Sequence, residues 1–173
     1  YHYNRGVTFL EKEDYRGATF EFKTAIELDP KYPEAHNGLG LVYRYTGHTD
    51  LAIAAFRKSV AANPKYAAPY MHLGVTYLDR DEYDKAVTYL EQAIKRDKHY
   101  ADAYYNLGIA QNKSEDFSKA AGSLKLYLLA APGAKDAKEA RTLMYELEFK
   151  QERAEKDRAR TAALLHSQKP IRA

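Results

Sequence analysis

The chain of 173 residues predicts an all-α fold, a right-handed α-solenoid of four helix-turn-helix hairpins with a long C-terminal capping helix, and three observations carry that prediction. Gly6, Gly40, Gly74 and Gly108 recur at a fixed interval of 34 residues, the signature of a repeat architecture. Within each interval the apolar residues step by three and four, as on one face of a helix, and a short polar turn divides them into two stretches. Hydrophobic residues make up 45% and charged residues 29%, without any apolar run of membrane-spanning length, so the chain has enough apolar surface to fold in water.

The hairpins follow in order as units 1–32, 33–66, 67–100 and 101–132. Twelve residues after each glycine stands Ala18, Ala52, Ala86 or Ala120, and four further on Phe22, Phe56, Leu90 or Leu124. Other columns agree: Phe9, Tyr43, Tyr77 and Gln111; Tyr32, Tyr66 and Tyr100; Pro30, Pro64, Lys98 and Pro132. In the second unit "PEAHNGLGLVYRYTG" reads as the first helix and "TDLAIAAFRKSVAANP" as the second. Pro33 suits a first helical turn, Thr49 or Asp50 is expected to cap the second helix, and the proline column is expected to stop it. A hairpin this small cannot bury its apolar face alone, so successive hairpins must stack.

Residues 133–166 follow a different pattern. Ala137, Ala140, Leu143, Met144 and Leu147 mark one face of a single helix, which should close the stack. Past Phe149 alternating charge takes over and "AALL" stands alone at Ala162 to Leu165, so this part should project, its apolar patch needing a partner. Pro170 should end any helix, leaving 167–173 as a flexible tail. From Lys150 onward there are seven Lys/Arg against three Asp/Glu, which concentrates the basic charge there and leaves residues 1–149 at −1 of the total +3.

These columns resemble the tetratricopeptide repeat, whose pattern stands here as "LGLVY" with Ala52 and Phe56, "LGVTY" with Ala86, Leu90 and Ala93, and "LGIAQ" with Ala120. The resemblance covers residues 1–132. Arg5, Gln111, Lys98 and Tyr127 depart from the pattern, and the fourth unit is the weakest. Its family numbering would start the first unit two residues before Tyr1. The wording "YLLAAPGAKDAKEARTLMYELE" also resembles the end of bacterial, including envelope-associated, repeat proteins, which implies a periplasmic or envelope location, with the cytoplasm as the alternative.

Gly38-Leu39-Gly40 imitates a phosphate loop, but no strand precedes it, no Lys-Ser/Thr follows, and helical amides are already bonded. Gly40 instead marks close approach of two helices. The six histidines lack the i, i+4 spacing of a helical metal pair, and there is no cysteine, so neither a metal nor a cofactor is expected. Glu11, Asp14 and Glu82 stand at turns and helix ends, where capping or solvation suffices, and no enzyme is expected.

The resemblance implies that the first helix of each unit lines a concave groove. The peptide-binding residues expected there are Tyr3, Asn4 and Val7 in the first unit and Asn37, Gly38, Leu41, Arg44 and Tyr45 in the second. Met71, His72, Val75 and Leu78 follow in the third, and Tyr105, Asn106, Ile109 and Asn112 in the fourth. Val7, Leu41, Val75 and Ile109 form an apolar band, and Gly38 is the one gap in the polar row of Asn4, His72 and Asn106, leaving room for a peptide. The carboxylate clamp of chaperone-binding relatives is absent, since its Lys and Arg positions hold Tyr3, Ala68 and His72, which argues against Hsp70 or Hsp90 tails. A protein or peptide partner is expected; the alternative is a homo-oligomer in which the C-terminal helix docks on a neighbouring chain. The near-neutral groove argues against nucleic acid, and no integral membrane segment is present.

Overall fold

The computed structural model describes residues 1–167, all of the regular structure among them helical. The helices run in pairs: α1 (His2–Glu11) with α2 (Tyr15–Leu28), α3 (Pro33–Tyr45) with α4 (Thr49–Ala62), α5 (Ala68–Leu78) with α6 (Tyr83–Arg96), and α7 (Ala101–Lys113) with α8 (Phe117–Ala130). A single long helix, α9 (Ala137–Ser167), follows them. Pro170 and the tail beyond residue 167 lie outside the described residues; Ser167 itself is the last residue of α9.

Each hairpin closes on a small residue facing a large one. A Cβ on Gly40 would stand 2.5 Å from the Phe56 ring, and one on Gly74 the same distance from Leu90, so the glycine column is what lets the paired helices meet. The turns repeat as faithfully as the helices. Glu13, Gly47, Asp81 and Glu115 all take the left-handed conformation, φ between 58° and 79°, although only Gly47, which has no Cβ to crowd, does so without steric cost.

One expectation about helix ends needs correcting. Thr49 and Asp50 lie inside α4, and His48 occupies the N-cap position without a side-chain bond to the helix. Its column holds Asp14, His48, Glu82 and Asp116, and only the two aspartates cap, accepting from the amides of Gly17 and Lys119. The second helices end where the proline column predicts, at Asp29 and Asn63, whose extended backbones directly precede Pro30 and Pro64, and at Asp97, which is extended likewise before Lys98. In each of these three turns the side-chain Oδ1 accepts the amide two residues on, from Lys31, Lys65 and His99. Lys98 can therefore replace proline without loss of the turn.

Contacts between units define two layers. The first helices touch their successors, α1 with α3, α3 with α5 and α5 with α7, whereas α2, α4, α6 and α8 make no comparable contacts with one another. The first helices are thus the crowded inner layer of a curved stack and the second helices the spread outer layer. Apolar burial runs along the whole stack, from Phe22 and Val42 through Phe56, Leu73 and Leu90 to Leu124.

α9 closes the far end by packing on α8. Ala137, Ala140, Met144 and Leu147 are buried there, with Leu143 partly so. Tyr127 of α8 donates its hydroxyl to Asp136, tying the entry of α9 to the last hairpin. Phe149 is already exposed, and after the partly covered Ala154 every residue to Ser167 faces solvent. At 1.5 Å per residue that is roughly 20 Å of free helix.

Candidate functional site

The inner layer places the apolar band in register. Val7, Leu41, Val75 and Ile109 are all partly exposed, one per first helix, while the neighbouring Leu39, Leu73 and Leu107 are buried behind them. Tyr3, Arg44, His72, Leu78, Tyr105, Asn106 and Asn112 are partly exposed too, and Asn4 and Tyr45 are open to solvent. Asn37, Gly38 and Met71 are not: all three are buried.

Gly38 is therefore corrected. A Cβ there would stand 2.6 Å from the Phe22 ring, so the space next to the glycine is filled by the preceding unit's phenylalanine rather than left for a ligand. One unit later His72 meets the same need differently, stacking on Phe56 with ring centres 5.4 Å apart. Burial, and secondarily the Arg44 guanidinium, lowers its pKa to about 4, so His72 is neutral at pH 7 and serves as a flat aromatic.

Polar side chains along the groove are partly committed to one another. Arg44 spans two units to bind Asp79, its Nη2 2.9 Å from Oδ2. Asn106 donates Nδ2 to the Asp102 carbonyl at 2.8 Å, leaving its Oδ1 as the group that can serve a ligand. Asn37 differs, because its Oδ1 is buried and has no hydrogen-bond partner among the described residues. Tyr105 leans edge-on against Tyr127 at 5.2 Å, and Tyr3 packs beside Tyr32 at 5.3 Å.

One group went unassigned in the sequence. Tyr32, Tyr66 and Tyr100 look purely structural as a column, yet all three remain partly exposed, and Glu34 and Asp102 stand two residues after the first and last of them. The signal was an aromatic column followed two residues on by an acid after Tyr32 and Tyr100, with Ala68 standing there after Tyr66. Among the described residues no cluster of His, Asp and Glu could hold a metal, and no helix is long and apolar enough to cross a membrane.

Comparison with known proteins agrees with this architecture. Tetratricopeptide repeat models match residues 33–66 and 71–137, and a model described as TPR repeat matches residues 6–47. A search of curated proteins finds no significant match. Among solved structures, one described as the crystal structure of MamA protein is 29% identical over 90% of this chain and 85% of its own, with a TM-score of 0.71. PilF of Pseudomonas aeruginosa is 21% identical over 99% of this chain and 76% of its own, with a TM-score of 0.79, a likeness of fold. The TPR2B domain of yeast Sti1, solved as a complex with an Hsp70 peptide, is 18% identical over 68% of this chain and 97% of its own, with a TM-score of 0.64. With its 34-residue period, paired helices and inner groove, the chain belongs to the tetratricopeptide repeat proteins.

Proposed function

We propose that this protein is a non-catalytic scaffold whose inner groove binds a peptide or helix of a partner protein. Tetratricopeptide repeats as a class mediate protein-protein interactions. The observation that carries the proposal here is the band of Val7, Leu41, Val75 and Ile109, four aliphatic side chains in one register left partly uncovered on the inner layer. Such a band suits apolar side chains of a ligand, while Asn4 and Asn106 offer amides to its backbone. The groove lacks the cationic clamp that would hold a chaperone's C-terminal carboxylate, so the Hsp70 peptide bound by Sti1 is not the ligand proposed. Resemblance of the end segment to envelope-associated proteins supports a role in assembling a bacterial envelope complex.

Peptides selected from a displayed library on the wild-type chain provide the test. Leu41→Glu combined with Val75→Glu should weaken their binding at least tenfold with helicity by circular dichroism unchanged; undiminished binding would move the site out of the groove. A second reading, self-association through α9, is favoured by the exposure of Phe149, Leu164 and Leu165 on its free length.

A further inference from the structure

We propose that Tyr3, Tyr32 and Tyr66, with Glu34, form a cage at one edge of the groove that takes an arginine or lysine side chain from a basic segment of a partner protein. The inference rests on the groove reading and names the chemistry of one of its subsites.

The rings of Tyr3 and Tyr32 meet at 5.3 Å with their planes 47° apart, a tilted pair. Tyr66 occupies the position of Tyr32 one unit further on and lies within electrostatic range of Tyr3, Glu34 and Tyr32. Its phenol is pushed up to about 12, mainly by burial and then by those neighbours. Tyr3 and Tyr32 are raised as well, again mainly by burial, with Glu34 contributing to both. All three phenols are therefore neutral at pH 7, and the acidic side chains that act on them are Glu34 and, at Tyr32, Asp29.

Glu34 is partly buried and has no basic partner within ion-pair distance among the described residues. The contrast with Glu21 is direct: that buried carboxylate is held by His2 at 2.7 Å and Arg5 at 3.1 Å. A carboxylate without a basic partner beside aromatic rings is the arrangement that guanidinium or ammonium groups satisfy, through charge and cation-π attraction together.

A partner chain is the occupant because the molecule's own basic segment is misplaced to serve in cis. α9 packs on α8 at the opposite end of the stack and continues into solvent. Charge complementarity also favours it, since the Glu34 side chain stands beside the tyrosines without an ion-pair partner among the described residues.

The tyrosine ring signals of the full chain, followed by NMR, read the cage directly. N-acetyl-arginine methylamide is the probe, and its neutral isostere N-acetyl-citrulline methylamide the control. Saturable shifts at Tyr3, Tyr32 and Tyr66 are expected with arginine alone, weakened at least fivefold by Glu34→Gln, partly retained in Glu34→Asp, and untouched by Asp102→Asn. Equal response to citrulline, or an unchanged response in E34Q, overturns the cage. Sedimentation of the free chain addresses the source: a dimer that E34Q dissociates would place a second copy's basic helix in the cage and overturn the assignment to a separate partner. The variant carrying Leu41→Glu and Val75→Glu should still bind the arginine probe, so the cage and the groove reading fail independently.

Discussion

His48 shows how finely single residues divide equivalent positions. Its backbone, φ −87° and ψ 66°, nearly superposes on that of Asp116, φ −86° and ψ 70°, where the carboxylate caps α8. His48→Asp should therefore cap α4 and add roughly 1 kcal/mol, the usual worth of such a cap, with its charge also favourable at a helix N-terminus. Urea denaturation measures this, and an unchanged midpoint would show that the His48 bond to Thr46, 3.0 Å long, already does as much. At this scale the sequence was only partly readable. The glycine-to-Phe56 contact was legible because both partners belong to columns, whereas Gly38 against Phe22 was not, because that contact joins different units and its column holds Asn, Gly, His and Asn. The burial of Asn37 was hidden for a similar reason: depth across a unit boundary depends on neighbouring side chains rather than on position within a repeat.

α9 divides into two elements that one continuous helix conceals. Up to Leu147 it is a cap whose alanines and Met144 cover the last hairpin; after Ala154 it has no packing of its own. The apolar stripe from Ala137 to Leu147 was legible in the residue spacing, and so was its end. Truncation after Lys150 should leave the melting temperature within a few degrees of wild type, because the removed residues contribute little burial. If the free length docks on a neighbouring chain, the same truncation should lower the mass measured by light scattering to that of a monomer; a mass that falls only by the residues removed would exclude self-association through α9. Helix termini were less legible than helices. Asp29, Asn63 and Asp97 form an end signal that the prolines mask, because at Asp29 and Asn63 both signals fall on the same helix end and only Lys98 separates them.

Across the whole molecule, burial is shared between units. The central cluster runs from Ala52 to Ala110 and includes Leu73, which is fully buried, while Tyr43 packs against both this cluster and that of the first hairpin. Leu73→Ala should cost about 2 to 5 kcal/mol through the cavity it leaves. Hydrogen exchange should then lose protection in α3 to α7 together; loss confined to α5 would show that the units unfold separately. The fold was legible because repetition multiplies each weak local signal by four. A ligand site is asymmetric by nature, so the features that distinguish it are those the repeat does not copy.

The two-layer packing carries a mechanical consequence. Because the inner helices abut and the outer ones stand apart, bending of the stack is resisted on the inner side and free on the outer, so the chain is a spring with its fulcrum beneath the groove. Small rotations about α1, α3, α5 and α7 would change the pitch between Val7, Leu41, Val75 and Ile109, letting the ruler of aliphatic side chains adjust to the rise of whatever backbone lies along it.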